Sequence, residues 1–309
     1  MKFIQYFDGH VVINFFGLLI RIKYELKYDC PKVTEYGLNR GMREIPITVS
    51  LTSFPARINI VSQTIASLLN QTMKPDTLVL WLAPEQFPNG EADLPQELVG
   101  LKQYGLTIDW YKDIRPYKKI IPTLKKYPHT VIITTDDDIC YTPDTIETLY
   151  NSYLAHKDEI HAHRADILSL VESQEGKTER PIIQKAKTRE LYADKYKGKS
   201  SFRLALTGYG GVLYPPDCFH KDICSEELFK LIPTHDDVWL WAMSVLGGYK
   251  TRLVKGYSES INYVKNSQEC GLCKINKKGC GMPIEEAYRI ISERYPKILE
   301  LLKQEPEEE

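Results

Sequence analysis

The stretch TVIITTDDD, residues Thr130–Asp138, places three aspartates directly after six β-branched residues. β-Branched residues favour strands, and an apolar run without alternation is typical of a strand buried on both faces of a parallel sheet. In open α/β sheets, ligands bind outside the carboxyl ends of the strands. The stretch therefore predicts a central strand that delivers Asp136, Asp137 and Asp138 to a ligand site.

Strand-like runs and amphipathic helices alternate on both sides of that stretch. Upstream, Ile47–Leu51, Thr77–Leu82 and Leu106–Trp110 read as strands separated by helical periodicity, which is the pattern of parallel α/β construction. Downstream, residues 234–246 predict a helix capped by Thr234 and stopped by a glycine pair. The chain is therefore expected to form a Rossmann-like, mostly parallel central sheet flanked by helices.

Three parts of the chain differ in character. Residues 1–44 contain the apolar run Val11–Ile20, which is shorter than the roughly 20 residues of a spanning helix and predicts a helix that is either buried or docked on a membrane surface. Residues 45–255 form the main α/β domain, in which the polar, lysine-rich segment 171–200 is expected to be a mobile insertion. Residues 256–309 are expected to form a helical extension that ends in a disordered acidic tail from Glu305 onward.

Charge and cysteine content restrict the class of partner and the compartment. The chain has 40 basic and 41 acidic residues, so no global basic field exists to hold a nucleic-acid backbone. Seven scattered cysteines, an odd number, favour a reducing compartment. Cys270, Cys273 and Cys280 have only the beginning of zinc-ligand spacing, and a tetrahedral site needs four ligands. We therefore expect an intracellular protein that binds no nucleic acid.

Three adjacent carboxylates raise one another's pKa, so a cation is expected beside them. A hard divalent ion, Mn²⁺ or Mg²⁺, fits best because it takes oxygen ligands and is shared between protein carboxylates and substrate phosphates. If strand alternation continues through the triplet, Asp136 and Asp138 point to one side and Asp137 points elsewhere. The alternative is that one acid caps the following helix while the others face water.

Five segments, in chain order, resemble bacterial glycosyltransferases of the GT-A fold that assemble capsular or lipopolysaccharide glycans. They are VSLTSFPARI (49–58), KDIRPYKKIIP (112–122), ITTDDDICY (133–141), GYGGVLYPP (208–216) and HDDVWLWAM (235–243). The aspartate triplet matches the D-x-D motif of these enzymes. The resemblance implies that residues 45–255 are a GT-A catalytic domain with a short antiparallel region on the acceptor side.

The resemblance also implies a donor site for a nucleotide-sugar. Thr52, Ser53 and Arg57 would hold the base and ribose, although a helix cap at Ser53 and a surface arginine are the alternative. Lys119 would approach the phosphates as a point charge, with Lys118 as its competitor. The residues assigned to the donor are Thr52, Ser53, Arg57, Lys119, Asp136, Asp137, Gly208, Gly210 and Gly211.

The metal and the catalytic base are implied by the same resemblance. Asp138 and Asp136 would bind the divalent ion. In inverting GT-A enzymes an acid at a helix start removes the proton of the acceptor hydroxyl, which makes Asp237 the candidate base and Asp236 the second candidate. In a retaining enzyme, His235 would be a third metal ligand. Simple capping of the helix by these residues is the alternative.

The sequence therefore predicts a metal-dependent glycosyltransferase that moves a hexose from a UDP-sugar to a glycan or lipid-linked glycan in cell-surface polysaccharide synthesis. We expect inversion at the sugar carbon and a location in the cytoplasm, at the inner face of the cell membrane. The alternatives are a retaining transferase, a noncatalytic glycan-binding protein, a glycosidase and an aspartate phosphotransferase. The last is disfavoured because Cys140 stands where its D-x-D-x-T motif has threonine.

Overall fold

The structure, a computed structural model, describes residues 3–7, 10–15, 18–23, 30–172, 181–185, 193–254, 262–265, 267 and 281–305. Its strands are β1 (Phe3–Phe7), β2 (His10–Phe15), β3 (Leu18–Lys23), β4 (Ile47–Thr52), β5 (Thr77–Leu82), β6 (Leu106–Trp110), β7 (Val131–Thr134), β8 (Ile139–Cys140), β9 (Glu159–Ala162), β10 (Ala165–Glu172), β11 (Pro181–Lys185), β12 (Ser200–Ser201), β13 (Leu204–Leu206), β14 (Val212–Tyr214), β15 (Lys250–Leu253) and β16 (Asn262–Tyr263). Its helices are α1 (Val61–Leu69), α2 (Gln96–Gly100), α3 (Ile121–Lys126), α4 (Thr145–Ala155), α5 (Ala193–Tyr196), α6 (Glu226–Phe229), α7 (Asp236–Leu246), α8 (Ile284–Arg294) and α9 (Lys297–Lys303).

The main element is an eight-stranded sheet with the order β12-β15-β9-β14-β7-β4-β5-β6. Strands β7, β4, β5 and β6 are parallel to one another, and β15 is parallel to β9. Strand β14 runs antiparallel to both β7 and β9. A smaller antiparallel sheet has the order β11-β10-β13. The prediction of a mostly parallel central sheet flanked by helices, with a short antiparallel region, is confirmed.

The strand that precedes the aspartates, β7, is central and buried throughout. Ile132 belongs to the core that contains Trp239 of α7, whereas Val131 and Ile133 belong to the core that contains Val61 of α1. Successive side chains of a strand point to opposite faces, so β7 joins two cores. Burial of an isoleucine side chain stabilises the fold by roughly 1.5–3 kcal/mol, so packing against both cores holds β7 in the centre of the sheet.

The prediction of a helix across Val11–Ile20 was wrong. The described residues there form β2 and β3, which pair antiparallel with each other, and β2 also pairs with β1. Valine, isoleucine and phenylalanine dominate this run, and they favour strands whenever a neighbouring strand is close in sequence. A short apolar run cannot be assigned to helix or strand by periodicity alone. The predicted membrane contact of this segment stays a prediction.

The segment 171–200 was predicted to be a mobile insertion, and about half of its described residues lie in strands; its mobility stays a prediction. β10 pairs with β11 in the register Leu168↔Lys185 to Glu172↔Pro181, and β12 pairs with β15. Ile183 of β11 is fully buried and belongs to the core, so this lysine-rich segment has an apolar contact that its polar composition does not indicate. Residues 173–180 and 186–192 lie outside the described residues.

After the sheet, α8 and α9 pack against the core that contains α7. Predicted disorder of the tail does not extend to Glu305, whose carboxylate accepts a hydrogen bond from the Phe202 backbone at 2.9 Å and pairs with Lys250 at 2.8 Å. The rest of the predicted tail, residues 306–309, and the cysteines 270, 273 and 280 lie outside the described residues. Within the described part of the chain, no helix has the length and apolar character needed to cross a membrane.

Candidate functional site

The aspartate triplet lies in the turn after β7, at the carboxyl edge of the parallel strands. Ser53 Oγ donates to Asp137 Oδ2 at 2.6 Å, and Arg57 Nη1 donates to Asp137 Oδ1 at 2.5 Å. Nη2 of the same guanidinium lies 3.0 Å from Asp138 Oδ2. Burial raises the pKa of Asp137 above its ordinary value, although Arg57 and Ser53 act in the opposite direction. One arginine therefore offsets the charge of two neighbouring acids.

This arrangement differs from the expected alternation of the triplet. Asp137 and Asp138 share Arg57, while Asp136 turns to Lys119. The reason is that β7 ends at Thr134, so the two-residue period of a strand no longer applies to the turn that follows.

Lys119 links the triplet to the start of α7. Its buried Nζ lies 2.7 Å from Asp136 Oδ1 and 2.8 Å from Asp236 Oδ2. Burial by itself lowers the pKa of a lysine, but the carboxylates of Asp136, Asp236 and Asp237 hold the pKa of Lys119 well above its ordinary value. Lys119 is therefore charged, whereas its competitor Lys118 pairs with Asp113 instead.

Asp237, in the first turn of α7, has a strongly raised pKa. Burial raises its pKa to about 7, the neighbouring charge of Asp236 adds to the shift, and Lys119 opposes it. The Gly208 backbone N–H donates to Asp237 Oδ1 at 3.1 Å. A carboxylate with a pKa near neutrality, held by a fixed hydrogen bond, is suited to proton transfer at physiological pH.

Gly208 approaches the acid cluster more closely than Gly210 or Gly211. A Cβ at Gly208 would lie 2.9 Å from Asp237 Oδ1 and 3.0 Å from Lys119 Nζ, so any larger residue there would displace these two side chains. Gly210 packs against the Arg164 side chain, and Gly211 has a φ of +86°, which shapes the turn into β14. Contact of these glycines with a donor sugar stays a prediction.

The N-cap residue of α7 is His235 and not Thr234, because the helix begins one residue later than predicted. Nε2 of His235 donates to the Met282 carbonyl at 2.8 Å, which ties the start of α7 to the segment before α8. Among the described residues, no three histidine, cysteine or acidic side chains come together as a metal-binding group. Asp136, Asp138 and His235 each have a protein partner here, and metal binding by this set stays a prediction.

A divalent ion shared with a ligand fits the remaining donors better. Asp136 and Asp138 offer hard carboxylate oxygens of the kind that Mg²⁺ and Mn²⁺ take, and such ions are commonly held by one or two carboxylates plus substrate phosphates. The Asp136 side chain is 32% exposed and is the more accessible of the two. Metal binding by these two residues stays a prediction.

Three residues that were predicted to hold the nucleotide form hydrogen bonds to the triplet or to a neighbouring strand in this structure. Thr52 Oγ1 donates to the Trp81 carbonyl at 2.8 Å, and Ser53 and Arg57 are bonded to Asp137. Sequence reasoning missed Tyr141, whose hydroxyl accepts from the Asp136 backbone N–H at 2.9 Å. Tyr141 is the last residue of ITTDDDICY (133–141), the segment that carries the triplet, and this position was the sequence signal that could have identified it.

No protein-family model matches the chain, and no curated protein matches its sequence. The chain is similar to several solved structures. A crystal structure of 4-diphosphocytidyl-2C-methyl-D-erythritol synthase matches with 10% identity and a TM-score of 0.39, over 76% of this chain and 100% of that chain. CMP:2-keto-3-deoxy-manno-octonic acid synthetase complexed with CTP matches with 10% identity and a TM-score of 0.42, over 77% and 98%. Mannosyltransferase PcManGT from Pyrobaculum calidifontis, in complex with GDP-Man and Mn²⁺, matches with 11% identity and a TM-score of 0.47, over 88% and 77%. At this level of similarity we base the function on the geometry of the acid cluster.

Proposed function

We propose that this protein is a glycosyltransferase that moves a hexose from a nucleotide-sugar to a hydroxyl group of a glycan acceptor. One observation carries the proposal: Lys119 bridges Asp136, at the end of β7, and Asp236, at the start of α7. The acids suited to a sugar-diphosphate donor and the acids suited to an acceptor hydroxyl thereby form one connected cluster. It lies at the edge of the sheet where α/β proteins bind ligands.

In the proposed reaction, Asp237 is the base. Its carboxylate takes the proton of the acceptor hydroxyl while that oxygen forms a bond to the anomeric carbon. The bond from this carbon to the diphosphate oxygen breaks, and the nucleoside diphosphate leaves with the electron pair. Attack from the side opposite the leaving group inverts the anomeric centre. The hydrogen bond from Gly208 orients Asp237, and its pKa of about 7 suits a base at neutral pH.

The donor side of the proposal uses the triplet and its supports. Asp136 and Asp138 would hold Mn²⁺ or Mg²⁺, which when bound offsets the charge that develops on the departing diphosphate. Ser53 and Arg57 keep the turn in shape through Asp137, beside the expected position of a uridine base and ribose. Thr52, Gly210 and Gly211 complete the proposed donor contacts.

We propose an inverting mechanism because Asp237 is held by the Gly208 N–H and has a pKa suited to a base. A retaining enzyme with His235 as a metal ligand is the alternative, since the hydrogen bond from Nε2 to the Met282 carbonyl leaves Nδ1 as a ligand atom. Asp236 remains the second candidate base. Its Oδ2 is engaged by Lys119 Nζ at 2.8 Å.

The wider role is inferred from the resemblance of the five sequence segments to bacterial glycosyltransferases. We propose a glycan or lipid-linked glycan as acceptor, in cell-surface polysaccharide synthesis, with the protein in the cytoplasm at the inner face of the membrane. A noncatalytic glycan-binding protein is the alternative. Such a protein would bind sugars but would not need a carboxylate with a pKa of about 7 beside a buried lysine.

Calorimetry with UDP, with and without Mn²⁺, tests the proposal. We expect binding that requires the metal and is lost in Asp136→Ala, while the exposed-surface control Asp158→Ala binds as the unaltered protein does. A thermal-shift screen of nucleotide-sugars with Mn²⁺ then identifies the donor, because a ligand that binds only the folded protein raises the midpoint of unfolding. UDP binding of equal strength without metal and in Asp136→Ala, or no binding of any nucleotide-sugar, would contradict the proposal.

A further inference from the structure

A small cavity of about 80 Å³ lies beside the acid pair of α7, and helix α8 contributes to its lining. It is distinct from the turn that holds the triplet. Its lining includes Asp166, Thr207, Asp236, Asp237, Ile284 and Tyr288.

The α8 wall is held in place by contacts on both sides. The hydrogen bond from His235 to the Met282 carbonyl fixes the chain just before α8. Further along, the rings of Tyr288 and Trp241 pack edge to face with centroids 5.6 Å apart, and Tyr288 is 2% exposed. These contacts pack α8 against α7 beside its acids.

One hydroxyl group of the lining is without a hydrogen-bond partner in the part of the chain that the structure describes. Thr207 is 7% exposed, and among the described residues no hydrogen-bond partner reaches its Oγ1. A buried hydroxyl is normally hydrogen-bonded, so this one is placed to meet a polar group of a ligand.

The charge of the lining determines which ligands it accepts. Asp166, Asp236 and Asp237 contribute carboxylates, and Lys119 offsets part of this charge through its pair with Asp236. Ionised carboxylates accept hydrogen bonds and repel anions. Ile284 and Tyr288 add apolar surface to the lining, which suits the C–H face of a sugar ring.

We propose that this cavity is the acceptor subsite and that it takes one edge of an uncharged, hydroxyl-bearing sugar ring while excluding uronic acids and other anionic sugars. Asp237 receives the reacting hydroxyl, Asp166 and Thr207 position the hydroxyls beside it, and Ile284 and Tyr288 limit the size of the ring. This inference rests on the proposed function and adds the substrate class of its acceptor. It makes α8, which follows the transferase core in the chain, a specificity element.

Saturation-transfer NMR with two sets of methyl glycosides tests this charge selection. One set contains the methyl glycosides of glucose, galactose and mannose, and the other contains the corresponding uronic acids. We expect at least one neutral glycoside to bind and its uronic acid to bind about tenfold more weakly. In Asp166→Asn, which keeps the shape and removes one charge, this difference should shrink several-fold, whereas the exposed control Asp158→Asn should keep it.

The α8 wall is tested by a second pair of variants. Ile284→Ala should weaken binding of the neutral glycoside several-fold, and Glu285→Ala, the exposed neighbour on the same helix, should leave it unchanged. UDP binding measured on every variant separates the two hypotheses and reports folding. If UDP and Mn²⁺ bind normally but neutral and anionic glycosides bind equally, or neither binds, or Asp166→Asn changes nothing, the subsite is overturned and the transferase proposal stands. If UDP never binds, the transferase proposal fails first.

Discussion

Nζ of Lys119 lies 2.8 Å from Oδ2 of Asp236, which is 117 positions further along the chain. This pair closes the gap between the turn after β7 and the first turn of α7, the two places where the acids are concentrated. A buried lysine among three carboxylates is a fixed counter-charge, and its removal leaves uncompensated charge in the interior.

Lys119→Met should destabilise the protein by about 3–5 kcal/mol and abolish transferase activity, since Asp136 and Asp236 lose their shared partner. Lys118→Met is the matched control, because Lys118 is equally buried but pairs with Asp113 outside the cluster. Urea unfolding of both variants, together with donor turnover, makes the comparison. Equal loss of activity in the two variants would show that Lys119 has no role beyond stability.

Asp237→Asn should lower turnover by roughly 10²–10⁴-fold, the usual contribution of a general base, while UDP binding is retained. The side chain keeps its shape and its hydrogen bond from Gly208 but loses its capacity to accept the proton. Single-turnover kinetics with the donor found in the screen measures this effect. Turnover close to that of the unaltered protein would show that another residue is the base.

Activity should rise with pH and level off above about pH 7, because the base must be ionised and the pKa of Asp237 is about 7. A profile of kcat/KM between pH 5 and 9 measures it. In Asp237→Asn the residual rate should lose this rise. A profile that is already flat at pH 5 would place the pKa of the base near that of an ordinary aspartate.

Stability should fall as pH rises from about 4 to about 7. The pKa of Asp237 is near 3.9 in the unfolded chain and about 7 in the fold, so within this window the folded protein binds more protons than the unfolded chain. Asp237→Asn should therefore be more stable than the unaltered protein at pH 8, on the order of 1–3 kcal/mol, with little difference at pH 4. Urea unfolding at the two pH values checks the sign, and a variant that is less stable at pH 8 would contradict it.

Gly208→Ala should abolish activity, because the added methyl group would lie within about 3 Å of Asp237 and Lys119. The matched control is Gly100→Ala, at the end of α2, where nothing lies within 4 Å of the added atom and φ is −59°. The control should keep full activity and gain up to about 1 kcal/mol through a stiffer unfolded chain. Activity in Gly208→Ala equal to that of the control would show that the close approach is not required.

The strands of the sheet were predictable because their patterns are local. Thr77–Leu82 and Leu106–Trp110 have the bounds read from alternation and β-branching, since neighbouring residues alone set those patterns. The run Val11–Ile20 was misread because a short apolar stretch fits a helix or a strand equally well, and the choice depends on pairing with β1 and β3. Within the site, the place of the triplet was predictable, but its partners were not.

The sequence by itself determined that three aspartates follow a buried central strand and that two more open a helix ending at a glycine pair. Only the tertiary structure decided that Arg57 is shared by Asp137 and Asp138, that Lys119 rather than Lys118 reaches the acids, and that α8 walls a cavity beside Asp237. The physical reason is range. Backbone patterns are set by neighbouring residues, whereas ion pairs and cavity walls depend on distances of a few ångströms between segments that only the packed core brings together.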